Sequence, residues 1–347
     1  MTEVKENGVA FHVDNGVLKK MVNCGKVKNV KIPHVLSNGL AIDCIGKEFC
    51  CGEYLSVEIS DEIKNISESA FDGANVKKIR WGKGCKTIPE ACFSFSSVEK
   101  ISNIAHVEGI GQNAFSCSEL QEFCMPPNCN KIPIGCFYSS RLKTISNLDH
   151  VTEIGESAFE SCYIQGIVWP AGCKSIPDFC FNECSKLSSI SNIENVVSIG
   201  AWAFRGTSSL TRFVWPSKCR YIPKYCFAGS GIKTIENIEN VVNMDNAVFA
   251  YSALEEIKWP SGCSVIPYEC FWASELRSFD FDNIIHIEER AFGYANPVSK
   301  FDMSNCPVTA VNKSSFFKVS CDNVIFPYYI SKEEIENAFG DPFKKQP

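Results

Sequence analysis

Apolar residues recur along this chain with a period of about 22 residues, far longer than the period of a single helix or strand. Each period closes on a phenylalanine, which in most repeats follows a small residue, as in Ile154-Gly-Glu-Ser-Ala-Phe159. A constant period in this range is typical of a solenoid, in which one repeated unit packs only on its neighbours. The closing phenylalanines are 21 to 24 residues apart: Phe49, Phe71, Phe93, Phe115, Phe137, Phe159, Phe181, Phe204, Phe227, Phe249, Phe271, Phe292 and Phe316.

Two versions of the repeat alternate along the chain. One reads Leu-x-x-Ile-x-Trp-Pro-x-x-Cys-x-x-Ile-Pro-x-x-Cys-Phe, as in residues 254–271. The other reads Leu-x-x-Ile-Ser-Asn-Ile-x-x-Val-x-x-Ile-Gly-x-x-Ala-Phe, as in residues 187–204. The first, fourth and sixth positions should face inward from a strand, and the second, third and fifth outward. The closing residues should lie on a short helical or 3₁₀ turn on the outer side, with proline at its first position.

These patterns predict an α/β repeat fold, a curved solenoid with a parallel strand ladder on its concave face. Residues 1–42 should form an N-terminal β-hairpin cap, because Asn15-Gly16 between two apolar runs favours a type I′ turn. Residues 43–330 should form the array of about 12 to 13 repeats, paired as 44-residue double repeats. Residues 331–347 should form a capping helix and tail, because Ser331 and Glu334 have the spacing of a capping box.

The repeats resemble leucine-rich repeat proteins of the BspA-like type. The resemblance is carried by Ile-Gly-x-x-Ala-Phe at residues 110, 154 and 199, by the 22-residue period, and by the hairpin entry Asp14 to Lys20. It covers residues 8–316 and implies a curved solenoid that binds other proteins. Many members of that family are surface or secreted adhesins of host-associated microbes, so the resemblance also favours the cell surface.

Tryptophan and asparagine alternate at the inward sixth position, as at Trp169 and Asn147. We interpret the tryptophans as core residues, and the alternative is an aromatic binding stripe. A buried asparagine must be hydrogen-bonded, and backbone groups in the turn after the strand are the expected partners.

The 20 cysteines include two ladders whose members are 44 or 46 residues apart, that is, two repeats. Since strands stack about 4.8 Å apart, members of one ladder should be about 10 Å apart, too far for a disulfide. We expect free, buried thiols; a bridge within a repeat, such as Cys85 to Cys92, is the alternative. Unpaired thiols favour a reducing compartment, and the polar N-terminus has no apolar signal segment. The compartment therefore stays open.

The net charge of −6 gives no basic excess for nucleic-acid binding, and no apolar run reaches the length that spans a membrane. We therefore expect no nucleic-acid partner and no membrane insertion, and we expect a monomer. No catalytic or phosphate-binding motif occurs, so we expect no enzyme activity and no cofactor. His106 and His150 occupy equivalent places where later repeats have asparagine, which indicates turn sites rather than metal ligands.

The outward positions of the strand ladder are the remaining candidate site. A solvated β surface explains any one of these side chains, but solenoids bind partners through such extended faces. The first repeats are basic, and a protein ligand with acidic groups at Lys77, Arg80 and Lys100 is the sharpest hypothesis; a surface adhesin or antigen is the alternative function. The candidate binding residues are Lys77, Lys78, Arg80, Lys100, Glu122, Lys143, Arg212, Lys233, Glu255 and Lys258.

Overall fold

The computed structural model describes residues 1–295 and 299–340, and the chain divides into two compact units, Met1–Cys173 and Lys174–Pro347. Both units are built from parallel β-solenoid repeats, and together they contain about 13 turns. The predicted solenoid fold is confirmed. The predicted tail, residues 341–347, lies outside the described residues.

An antiparallel hairpin opens the first unit. Strands β2 (Val9–Asp14) and β3 (Val17–Asn23) pair with each other, and β1 (Thr2–Glu6) pairs with β2. The turn has φ angles of 48° at Asn15 and 77° at Gly16, the positive values that a type I′ turn requires. Strand β3 also pairs in parallel with β5 (Cys44–Cys51), which connects the hairpin to the repeats.

One ladder of parallel strands carries the Leu-x-x-Ile segments of the repeats. Val76 and Ile79 of β8 and Trp81 directly after it are buried while Lys78 is exposed, as the alternation of positions predicts. The ladder strands of the first unit are β4 (Asn29–Ile32), β6 (Tyr54–Ile59), β8 (Val76–Arg80), β10 (Lys100–Ser102), β12 (Glu122–Cys124), β14 (Thr144–Ser146) and β16 (Gly166–Val168). Those of the second unit are β18 (Ser189–Ser191), β20 (Arg212–Val214), β22 (Thr234–Glu236), β26 (Phe301–Asp302) and β28 (Val324–Ile325).

A second ladder of two-residue strands runs through the apolar residue, usually isoleucine, that lies five residues before each closing phenylalanine. In the first unit it comprises β7 (Asn65–Ile66), β9 (Thr87–Ile88), β11 (Gly109–Ile110), β13 (Lys131–Ile132) and β15 (Glu153–Ile154). In the second unit it comprises β17 (Ser175–Ile176), β19 (Ser198–Ile199), β21 (Tyr221–Ile222), β23 (Asn243–Met244), β24 (Val265–Ile266), β25 (His286–Ile287) and β27 (Ala310–Val311).

The segments that close the repeats differ from the expected short helices. Among the described residues, only Cys321–Asn323 is 3₁₀ helix and only α1 (Lys332–Ala338) is α-helix; α1 has the predicted capping box at Ser331. In most other repeats, alternate N–H groups of the turn donate to the next repeat, and those between them donate to the carbonyl three residues back. Ala91 N donates to Gln112 O at 2.9 Å and Phe93 N to Ala114 O at 2.8 Å. An N–H group bonded to a neighbouring repeat is not available for a helical hydrogen bond.

Packing of successive repeats explains the alternation of proline and glycine. A Cβ atom on Gly155 would lie 2.5 Å from the backbone N of Ile134, directly after Pro133. Gly111 and Gly200 make the same close approach to the residues that follow Pro89 and Pro177. Glycine in one version of the repeat therefore makes room for the proline turn of the other.

The closing phenylalanines form a continuous stack within each unit. Phe137 and Phe159 are fully buried, with ring centroids 5.8 Å apart and planes 2° apart. In the second unit, Phe227 and Phe249 stack at 5.9 Å and 5°. Offset stacking of aromatic rings adds to the free energy of burying their apolar surface, and this column is the centre of the core.

The ladder cysteines are buried free thiols, as predicted. Sγ of Cys85 donates to Ile63 O at 3.1 Å, and Sγ of Cys129 donates to Val107 O at 3.3 Å. Burial raises the pKa of Cys85 to about 12 and that of Cys129 to about 11. Burial also holds the pKa of Cys92 and Cys136 well above the usual value for a thiol. These thiols stay protonated at neutral pH.

Replacing Phe159 with alanine should lower the free energy of unfolding by about 3 to 5 kcal/mol, because it leaves a cavity in the column. Urea denaturation monitored by circular dichroism would measure this change in the free energy of unfolding. The matched control is Phe95→Ala, since the Phe95 side chain is 70% exposed, and its cost should be under about 1 kcal/mol. Equal costs for the two variants would contradict the assignment of Phe159 to the core.

Brief alkylation of the native protein with iodoacetamide should modify Cys24, Cys124 and Cys321, whose side chains are exposed. The buried ladder thiols should react only after unfolding, because alkylation requires an accessible thiolate. Peptide mass spectrometry of native and urea-unfolded samples would measure both sets. Rapid modification of Cys136 or Cys226 in the native protein would contradict their burial.

Candidate functional site

The outward side chains of the first strand ladder form a surface that we call the strand face. It consists of the third and fifth positions of each repeat, with the second position beside them. Register places Lys78 next to Lys100 and Arg80 next to Ser102. The candidate residues predicted from the sequence all lie on or beside this surface, within one unit or the other.

The basic end of the strand face is partly neutralised by neighbouring carboxylates. Lys77 Nζ lies 2.9 Å from Glu99 Oε1, and Arg80 Nη1 lies 3.1 Å from Asp61 Oδ1. The hydrogen bond from Arg80 lowers the pKa of Asp61. By contrast, Lys78 and Lys100 are exposed, and no ion pair is formed by either within the described residues. The positive charge that remains for a ligand is therefore concentrated on these two lysines.

The next part of the first unit's strand face, at β12 and β14, carries little charge, whereas Val168 of β16 is an exposed apolar residue. Glu122 is exposed and lies beside Thr144 in the strand register. Lys143 Nζ donates to Gln121 Oε1 at 2.9 Å. Neither side chain is joined to a charged partner within the described part of the chain. This region has hydrogen-bonding capacity without a marked electrostatic preference.

Ion pairs between adjacent repeats dominate the second unit's strand face. Arg212 Nη2 lies 2.6 Å from Glu236 Oε1. Glu255 lies between two cations, with Lys233 Nζ at 2.8 Å and Arg277 Nη2 at 3.1 Å. Exposed pairs of this kind contribute about 0 to 1 kcal/mol each, so they mainly compensate charge between repeats.

Lys258 forms no ion pair with a described residue, and it lines a cavity. The cavity has a volume of about 520 Å³, and its other walls include Trp259, Asp280 and Asp282. A second cavity of about 540 Å³ lies two repeats earlier, beside Arg212 and Trp215. Neither cavity was predicted from the sequence. The two cavities occupy equivalent positions in successive double repeats, each beside the tryptophan of the sixth position.

The tryptophans and asparagines of the sixth position have different environments. Trp81, Trp169 and Trp215 are buried, which matches the core interpretation, whereas Trp259 is partly exposed. The expectation of buried asparagines was wrong, since Asn147 is exposed and has a φ of 60°. Asparagine tolerates this left-handed conformation. Its Nδ2 donates to Met125 O at 2.7 Å, so the predicted bond to backbone is present.

Within the described residues, no group of three or more His, Cys, Asp or Glu side chains could hold a metal ion. His106 Nε2 lies 3.0 Å from Gly82 O, and His150 Nε2 lies 2.9 Å from Pro126 O. Both histidines therefore contact the turn of the preceding repeat. No helix in the described ranges is long and apolar enough to cross a membrane.

The fold and its strand face define a leucine-rich repeat solenoid. The BspA-type leucine-rich repeat family matches residues 47–165, 152–277 and 222–341. These ranges cover most of the sequence, and the chain belongs to this family. No curated protein matches the chain.

Several solved bacterial structures share the fold. A leucine-rich repeat protein from Bacteroides ovatus is 18% identical, with a TM-score of 0.69 over 99% of this chain and 97% of that chain. A leucine-rich cell surface protein from Faecalibacterium prausnitzii is 19% identical, with a TM-score of 0.57 and 98% of each chain covered. The pneumococcal vaccine antigen PcpA is 16% identical, with a TM-score of 0.52 over 95% of this chain and 99% of that chain. Identities this low show the fold alone.

The Glu255→Gln variant should melt at a lower temperature than wild type at neutral pH and low salt, because it removes the carboxylate between Lys233 and Arg277. The hydrogen bond from Lys233 lowers the pKa of Glu255 in the folded protein. The ionised Glu255 carboxylate therefore stabilises the fold at pH values above its pKa in the unfolded chain. This contribution is lost as the pH falls through its pKa in the folded protein. Differential scanning fluorimetry at pH 7 and pH 3 would measure the difference.

The control for this experiment is Glu256→Gln. Glu256 is exposed and forms no ion pair with another described residue. This variant should melt like wild type at both pH values. If the two variants showed equal losses at pH 7, the ion pairs of Glu255 would not be the cause.

Proposed function

We propose that this protein is a non-enzymatic interaction module that binds a macromolecular partner through its strand face. The repeat architecture supports this proposal, because solenoids present extended surfaces on which many side chains can act together. The partner that fits the basic end is a protein with acidic groups.

One observation carries the choice of an acidic partner. Lys78 and Lys100 are adjacent, exposed and without an ion-pair partner among the described residues, whereas Lys77 and Arg80 already contact carboxylates. Two like charges at paired positions of neighbouring strands repel each other and destabilise the strand pairing. A carboxylate from a partner would relieve this repulsion, so binding and local electrostatics favour the same contact.

Charge reversal tests this proposal. Partners captured on immobilised wild-type protein would be compared with those captured on the K78E/K100E double variant by quantitative mass spectrometry. The affinity of partners that bind through the basic end should fall by about tenfold or more. This loss of affinity should be smaller at high salt. The control is K64E/K313E, which changes two exposed lysines away from the strand face and alters the net charge equally. Retention of every partner by K78E/K100E would overturn the choice of this end.

A surface-exposed adhesin or antigen is the second candidate function. It is supported by the family and by two similar structures, one described as a cell surface protein and the other as a vaccine antigen. The free cysteines favour a reducing compartment instead. Fractionation of the source cells, with a thiol count on the native protein, separates the two. Recovery only from the cytosolic fraction would reject the adhesin.

A further inference from the structure

A groove of about 840 Å³ opens in the first unit beside the hairpin. Its walls come from the end of β3, the segment that leads into β4, and the starts of β6 and β8. The sequence indicates only an end cap for the hairpin, whereas the structure places the hairpin's side chains next to the first repeats. The lining includes Lys20, Lys26, Lys28, Lys77, Val27 and Leu55.

The lining of the groove is strongly positive. It contains four lysines and one acidic residue, Glu53. Lys77 is paired with Glu99, but Lys20, Lys26 and Lys28 are exposed, and none of the three forms an ion pair with a described residue. Three uncompensated cations around one concave surface attract an anionic ligand and raise its rate of association.

Apolar side chains also line the groove. Leu55 is 46% exposed, and Val22 and Val27 are half-buried beside it. An exposed leucine between lysines gives a ligand both apolar contact and charge. A polyanion without apolar groups, such as a sulfated polysaccharide, would make no apolar contact with these side chains. A peptide can supply carboxylates and an apolar side chain from the same segment.

Hydrogen bonds hold the walls of the groove in place. Val27 N donates to Asn23 Oδ1 at 2.8 Å, and Asn23 Nδ2 donates to Val27 O at 2.7 Å and to Glu53 O at 3.2 Å. Leu55 N donates to Lys28 O at 2.7 Å. One asparagine therefore ties the hairpin to the start of β6, and a wall that is already ordered costs less entropy when a ligand binds.

We propose that this groove binds an acidic peptide segment of a protein partner, with carboxylates at Lys20, Lys26 and Lys28 and one apolar side chain against Val27 and Leu55. The proposal rests on the proposed function and extends it, because Lys77 belongs both to the groove and to the basic end of the strand face. It assigns the hairpin a direct part in recognition.

Fluorescence anisotropy with defined probes tests this groove. The probes are a short labelled peptide of Glu-Glu-Leu repeats, a labelled oligoglutamate of the same length, and a labelled heparin fragment. Wild type should bind the leucine-containing peptide more tightly than either of the others. The K26E/K28E variant should weaken that binding by about tenfold or more. The Leu55→Ser variant should weaken it roughly three- to tenfold while leaving oligoglutamate binding unchanged. The control K64E/K313E should bind like wild type.

Other outcomes would overturn the proposal. Equal binding of the heparin fragment and the leucine-containing peptide, with no effect of Leu55→Ser, would assign the groove to polyanions in general. Loss of peptide binding in K78E/K100E but not in K26E/K28E would support the strand face and reject the groove. Loss in K26E/K28E alone would support the groove and leave the strand face without a role in binding this probe. Circular dichroism of each variant checks that it is folded.

Discussion

Backbone hydrogen bonds between successive repeats are the interaction on which the rest of this structure depends. They run along both strand ladders, and along the closing turns, where Phe204 N donates to Cys226 O at 3.0 Å and Phe271 N to Ala291 O at 2.8 Å. A solenoid has few long-range contacts other than those between neighbours, so each repeat must satisfy its polar backbone on the next one. This requirement fixes the spacing of the phenylalanines and places their rings in a column within each unit.

The same spacing organises the surface charges. Residues one repeat apart lie side by side, so Lys233 meets Glu255, and Lys77 meets Glu99. Most charges of the strand face are compensated in this way, and the uncompensated lysines are therefore the informative ones. In the first unit these include Lys78 and Lys100 at the basic end of the strand face, Lys143 farther along it, and the three lysines of the hairpin groove.

The sequence was sufficient to predict the repeat, the inward and outward positions of the strands, and the buried thiols. Each of these depends on periodicity alone. The non-helical turns could not be predicted, because nothing local in Ile-Pro-x-x-Cys-Phe shows that its N–H groups donate to another repeat. The ion pairs could have been found by searching for opposite charges 22 residues apart, as for Lys77 and Glu99. The groove could not be predicted, because it forms where the hairpin packs against the first repeats. The repeat pattern carries no information on that packing.

The contact between glycine and proline turns limits how such a chain can change in length during evolution. Gly155 is placed against the turn of Pro133, and Gly200 against that of Pro177. Loss of one glycine version would bring two proline turns together, and a second proline ring would then occupy the space that glycine leaves free. Loss or duplication of two repeats preserves every contact. Length variants of this part of the array should therefore differ by about 44 residues, the double repeat visible in the sequence.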